Sequence, residues 1–393
     1  MRSRHLFACV VGAILLVVAG VLGYWLVTRP AAPLSPELET PKLALEQMPP
    51  GLRARPLFFS PVAVPVLKEH WKEWGAAFGA SGVSLEQLSA EFGATLQNPQ
   101  AWRVLDRKWR FGAVLLAGDP AAFRPLLDHL RHAADWTLTR VDPVGYLFER
   151  SPAKAWKATE VPSVLVAFQN HSKAEQQIAR IQLAHRLMFL EEMPAAKGLL
   201  DEVLAQNVRS KEAWTEMAHW QGMSGQWLAS SKAAERALAL NRRYLPAQTA
   251  QANALLGLGH FEEALRLTRH LYEALPGDPQ ILLLHAKVTH GAHAFQEETK
   301  VLKRLIGILG EQSQSLGFWQ LYLGQAYAAI GDSLLAVEQF QAALQDATLS
   351  GPDREFALKA LERLETKPDS LNTAPIAPTP SLSSLLDGPA RRP

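Results

Sequence analysis

The twelve histidines are the residues of this chain best suited to chemistry, and their spacing decides which chemistry is open. His129 with His132, and His290 with His293, are i,i+3 pairs. On helices each pair would share a face and offer two imidazoles to one metal ion. No carboxylate accompanies either pair at ligand spacing, and His-Glu-x-x-His is absent, so no metal site and no cofactor are expected. Asp119 ends an apolar run, a common address for a catalytic carboxylate in α/β folds. It also precedes Pro120, and reads first as a helix cap. The single cysteine, Cys9, excludes an intrachain disulfide and a cysteine nucleophile in the folded part. No Gly-x-Ser-x-Gly, phosphate loop or dinucleotide fingerprint occurs, so no catalytic residue is assigned. Lys and Arg number 40 against 38 Asp and Glu, without a basic stripe, which speaks against a nucleic-acid partner.

The elements that would position such groups fall into segments. Leu6–Val27 carries no charge over 22 residues, enough for a helix of roughly 30 Å, the thickness of the hydrocarbon layer. It ends in Tyr24-Trp25, suited to a membrane interface, and is preceded by Arg2 and Arg4. The expectation over residues 1–29 is a retained single-pass anchor with its short end in the cytoplasm and the bulk periplasmic or otherwise outside. Residues 30–65 hold nine prolines and read as an extended linker. The tail over 367–393 holds six prolines and no periodic apolar face, and is expected to be disordered.

Residues 66–170 contain six of the eleven tryptophans. Leu67–Phe78 has helical periodicity. Ser84 with Gln87 predicts a capping box for a helix to about Leu96, and Asn98-Pro99 opens another to Lys108. Phe111–Ala117 reads as a buried strand, Pro120–His132 as a helix, and Trp136–Val141 with Tyr146–Arg150 as a hairpin about Asp142–Gly145. The expectation is a small α/β domain of about three strands, with Val161–Phe168 left open as a fourth strand or a lead-in helix. The run Trp136–Arg150, WTLTRVDPVGYLFER, resembles a β-hairpin near the end of some bacterial polytopic membrane glycosyltransferases. The likeness carries no catalytic motif and implies at most an accessory domain.

From residue 177 onward a period emerges. Gly324, Tyr327, Gly331, Ala336, Phe340 and Ala343 are spaced 3, 4, 5, 4 and 3 apart. Ala252, Gly259, Phe261 and Ala264 keep that register in 245–278, Trp214, Ala218, Gly225, Trp227 and Ala237 in 211–244, and Ala184, Met193 and Ala196 in 177–210. In 279–316, Ala286 and Phe295 keep it while Glu298 replaces the usual alanine. This pattern resembles the tetratricopeptide (TPR) repeat, a 34-residue helix-turn-helix. The resemblance implies five repeats over 177–350, closed by an amphipathic capping helix near 351–366. The fold expected is mainly α: a TPR-type α-solenoid preceded by the small α/β domain.

In that family the second, fifth, ninth and twelfth positions of the first helix usually face the concave groove. The ninth positions here are His185, His219, Asn253, Lys287 and Gln325, all able to hydrogen-bond, and the fifth are Ile181, Thr215, Thr249, Leu283 and Leu321. The resemblance implies an apolar trough with a polar ladder, suited to an extended peptide or a helix. The function expected is a non-catalytic, membrane-anchored scaffold that binds a protein or peptide partner. The alternative is a glycan-binding or glycosyltransferase-associated accessory protein using the tryptophan-rich domain.

Overall fold

A computed structural model describes residues 55–65, 67–68, 78, 84–150, 155–309, 316–347 and 349–366. The expected anchor, most of the linker, Trp71, Trp74, most of Leu67–Phe78 and the tail lie outside these residues. No helix among the described residues is long and apolar enough to cross a membrane.

The α/β domain is a four-stranded sheet, one strand more than expected. The strands are β1 (Leu57–Phe59), β2 (Ala113–Ala117), β3 (Trp136–Asp142) and β4 (Gly145–Arg150), in the order β1-β2-β4-β3. β1 is parallel to β2, and β4 is antiparallel to both β2 and β3. The extra strand falls in the segment read as linker. Prolines at 56, 61 and 65 suggested a spacer, but Leu57-Phe58-Phe59 between them is wholly buried, and burial of three large apolar side chains outweighs the proline signal. The hairpin strand β4 slots between β2 and β3, so the strand-helix-strand step spans a gap. Gly145 is what lets β4 approach: a Cβ there would lie 2.4 Å from the Leu116 carbonyl oxygen.

Helices α1 (Leu85–Gly93) and α2 (Pro99–Trp109) connect β1 to β2. The expected capping box is formed: Ser84 and Gln87 exchange side-chain and backbone hydrogen bonds. Asn98 Oδ1 accepts from the amides of Gln100 and Ala101. The run after β2 is not one helix. It is a 3-10 turn, Pro120–Phe123, followed by α3 (Arg124–His132), because Pro125 cannot donate the amide bond a continuous helix needs. Val161–Val166 is the short helix α4, which resolves the open choice in favour of the lead-in helix.

Five helical hairpins follow: α5 (Lys173–Phe189) with α6 (Met193–Gln206), α7 (Lys211–Met223) with α8 (Trp227–Leu240), α9 (Leu245–Leu258) with α10 (Phe261–Ala274), α11 (Pro279–Gly291) with α12 (Phe295–Leu309), and α13 (Leu316–Ile330) with α14 (Ser333–Gln345). Small residues sit where the two helices of a hairpin cross. Ala184, Ala218, Ala252 and Ala286, with Ala196, Ala264 and Ala336, are at most 2% exposed. A Cβ on Gly324 would lie 2.8 Å from the Phe340 ring. Hairpins stack by a second rule that links neighbours. Trp227 and Phe261, each opening a second helix, lie against Gly257 and Gly291 of the next first helix, where a Cβ would come within 2.2 Å and 2.5 Å of the ring. The first helices also pack on one another along the stack (α5 on α7, α7 on α9, α9 on α11). That closer spacing places them on the inner side of the curve.

The amphipathic helix α15 (Gly351–Thr366) closes the far end, burying Ala357, Ala360 and Leu364. Arg354 donates to the Leu344 and Asp346 carbonyls at the end of α14, satisfying groups that a helix terminus leaves open. At the near end, the sheet and the first two hairpins share one continuous apolar core. Tyr146 Oη donates to the Arg186 carbonyl (2.9 Å), and Arg131 donates to the Leu190 carbonyl (3.1 Å).

Candidate functional site: the inner face of the repeat stack

Neither histidine pair singled out by spacing forms a ligand cluster among the described residues, although His129 and His132 line one pocket with Asp106, Asp128 and Asp135. His132 bonds the Asp128 carbonyl of its own helix, while His129 packs against Trp102 and meets Arg103. His290 is buried and pairs with Glu298 Oε1 at 2.9 Å, while His293 stands just past the helix with φ 55°. Glu298, the residue that breaks the alanine pattern of the fourth repeat, is therefore held by a histidine on the first helix of the same hairpin. Burial pushes its carboxyl above the ordinary range, with His290 opposing.

The histidines that do meet lie 34 residues apart, at the same position of adjacent repeats. His185 Nδ1 is 2.8 Å from Glu216 Oε2, and His219 Nδ1 is 3.4 Å from the same oxygen. Glu216 precedes His219 by three residues, so both side chains leave the same face of α7. Sequence reading named both histidines and missed the carboxylate. The signal was available locally, in the i,i+3 spacing of Glu216 and His219, and in the 34-residue step between the two histidines.

A second carboxylate reaches His185 from outside the repeats. Asp119, at the end of β2, caps the following turn by accepting from the Ala121 amide, as expected. Its Oδ1 also lies 3.9 Å from His185 Nε2, and its Oδ2 accepts from Gln280 Nε2 at 2.8 Å. Gln280 opens the fourth repeat. The loop after β2 thus spans the inner face from the first repeat to the fourth, and part of the groove is occupied by the chain's own domain.

These contacts set the protonation of the cluster. Burial alone would lower His185, but the Glu216 charge, the nearby Asp119 carboxylate and the bond to Glu216 outweigh it and raise its pKa to about 9. Burial would raise Asp119, yet the nearby His185 and the bonds from the Ala121 amide and Gln280 bring it down to about 2. Glu216 is likewise opposed by burial and held far below the carboxylate range by His185 and His219. At neutral pH the cluster is a cationic imidazole between two carboxylates.

The rest of the ladder varies. Asn253 is exposed and donates back to the Thr249 carbonyl of its own helix. Lys287 is half-buried. Gln325 is buried, and neither end of its amide finds a hydrogen-bond partner among the described residues. The expected apolar trough is partly filled in: Ile181, Thr215 and Leu321 are buried within the stack instead of lining an open channel. The resemblance placed fifth positions on the groove, but here the tight packing of first helix on first helix covers them. A further buried histidine, His285, bonds Thr268 at 2.9 Å and faces Glu297 at 3.0 Å; burial lowers its pKa against the pull of Glu297.

Among the described tryptophans, Trp102 and Trp136 form part of the wall of one pocket, with Arg103, Asp106, His129, His132 and Asp135, but their ring faces are not open to it. Trp102 and Trp136 are 1% and 5% exposed and stack edge-on in the core of the α/β domain.

No protein-family model matches the chain, and no curated protein does. Among solved structures it is similar to YrrB, described as a TPR protein with an unusual peptide-binding site, at 17% identity over 50% of this chain and 96% of that one, with a TM-score of 0.41. It is also similar to TTC0263, a TPR protein of Thermus thermophilus, at 20% identity over 47% of this chain and 99% of that one, with a TM-score of 0.36. A tetratricopeptide repeat protein from Parabacteroides merdae aligns at 13% identity over 69% of this chain and 99% of that one, with a TM-score of 0.35. The TPR-type character of the stack rests on its own period, its small residues at the helix crossings and its first-helix packing.

Proposed function

We propose that the chain is a non-catalytic interaction scaffold that binds a protein or peptide partner on the inner face of its repeats. The observation that supports this best is the run of polar side chains at one position of consecutive repeats, all on the inner helices. Asn253, Lys287 and Gln325 stand beyond the near-end cluster. A peptide lying across them would meet the half-buried Lys287 and give the exposed Asn253 a better acceptor than its own helix. The uncharged run Leu6–Val27 supports a place at a membrane, with the scaffold held outside the cytoplasm. The glycan-binding alternative needs exposed tryptophan faces; Trp102 and Trp136 do line a pocket, but at 1% and 5% exposure they offer a sugar no open ring to stack on.

A photocrosslinking residue at Asn253 tests the reading in cells. The expected result is one dominant protein adduct that Lys287→Ala and Gln325→Ala both deplete. A probe at Arg266, exposed on the outer helix α10, should not form it. Equal adducts from both positions would contradict a groove-specific partner.

A further inference from the structure

We propose that His185, Glu216 and His219 form a binding site for a divalent ion of the zinc type, with Asp119 as its supporting carboxylate. Each residue offers one donor atom, and the three donors lie within 4.8 Å of one another. The Glu216 oxygen stands 2.8 Å and 3.4 Å from the two imidazole Nδ1 atoms. Two ligands bonded to one ion at about 2.1 Å are themselves roughly 3.0–3.4 Å apart, so these spacings are those of neighbouring ligands. Small side-chain rotations would bring all three donors onto one ion, the Nδ1 proton of His185 leaving to solvent as the metal takes its place.

The surroundings fit the same assignment. Metal-bound histidines typically point their other ring nitrogen at a carboxylate, which fixes the tautomer and the ring plane. His185 has that arrangement: Nδ1 faces the cluster, and Nε2 faces Asp119 Oδ1 at 3.9 Å. Asp119 is in turn fixed by the Ala121 amide and by Gln280. Two imidazoles and one carboxylate are a borderline donor set that suits Zn²⁺, Co²⁺ or Ni²⁺ and not the oxygen-seeking Ca²⁺ or Mg²⁺. The three side chains are 17–29% exposed, so the site opens onto the groove and three protein ligands leave room for water or a partner's group. A bound ion would also tie α5 to α7 and, through Asp119, hold the α/β domain against the fourth repeat.

The test uses the purified full-length chain stripped of metal, titrated with Zn²⁺ by calorimetry and with Co²⁺ by visible absorption. The expected result is one ion per chain, with a Co²⁺ spectrum of nitrogen and oxygen ligation. His219→Ala and Glu216→Gln should each weaken Zn²⁺ at least about tenfold. Asp119→Asn should weaken it by about tenfold, as loss of a supporting carboxylate does. His129→Ala with His132→Ala controls for scattered surface histidines and should change nothing. Glu216→Gln keeps shape and volume, and its circular dichroism and melting temperature separate ligand loss from misfolding. Absence of stoichiometric binding, or affinity unchanged in His185→Ala with His219→Ala, would overturn the proposal. The titration needs no protein partner, so its outcome is independent of the groove reading.

Discussion

The two ends of the repeat stack are closed by different physics. At the far end, the last hairpins and α15 form an apolar cluster around Tyr322, Phe340 and Ala357, each at most 1% exposed. At the near end the α/β domain shares its core with the first two hairpins, and a charged relay, Gln280 to Asp119 to His185 to Glu216, crosses the inner face. The far end is a simple cap. The near end is a docked domain whose grip depends on protonation. A solenoid needs both ends covered, and the near end offers a contact that a change of pH can loosen.

Phe340→Ala should produce the largest effect. It empties a fully buried ring site beside Gly324 and should cost about 3–5 kcal/mol in urea titration. Hydrogen exchange should locate the loss in α13–α15, leaving the α/β domain protected. Uniform loss across the chain would break the distinction between the two ends. Gly257→Val comes next: the added carbons meet the Trp227 ring, and forced repacking should cost about 1–3 kcal/mol. Its effect belongs to the second and third hairpins and should spare both ends.

Glu216→Ala leaves two imidazoles without their shared acceptor and should cost about 1–3 kcal/mol, with faster exchange in the loop after β2. The pH dependence sharpens the same point. His185 is raised from 6.5 to about 9 in the folded chain, so its contribution is complete below pH 6.5 and is lost as pH rises through 9. Asp119 works in the other direction: its contribution is present above pH 3.8 and fades as pH falls toward 2. Melting temperature should therefore fall between pH 6.5 and 9, and His185→Gln should flatten that fall. Asn253→Ala should be the smallest change, within about 0.5 kcal/mol, because the side chain is exposed and bonds only locally; any loss should appear in partner capture.

How much of this the sequence carried depended on whether the forces were local. The repeat was legible because Gly331, Gly259 and the crossing alanines recur at fixed spacing, and each is required by a turn or a close approach. Gly259 and Gly331 adopt φ values of 77° and 87°. The caps at Ser84 and Asn98 were legible for the same reason. Leu57–Phe59 was not, because three prolines outvoted three apolar residues locally, and only the sheet shows what those residues bury. The near-end cluster joins residues 119, 185, 216 and 280. Asp119 was visible as a cap, and His185 and its neighbour His219 as two rungs of a ladder; Glu216 stood three residues before His219, but the docking that brings in Asp119 and Gln280 leaves no mark in local spacing. Packing narrows the expected trough at Ile181, Thr215 and Leu321 and leaves Thr249 and Leu283 half-buried: family positions say which way a side chain starts, and its neighbours say whether it ends in solvent.

The most direct test of the account places cysteines at Asp119 and Gln280 in a Cys9→Ser background, where no other cysteine exists. A short bismaleimide is then applied to the purified chain. Docking of the α/β domain across the inner face predicts rapid intrachain crosslinking at neutral pH, and none between position 119 and a cysteine at the outer Arg266. Equal linkage to positions 280 and 266, or none to 280, would contradict a domain seated across the inner face.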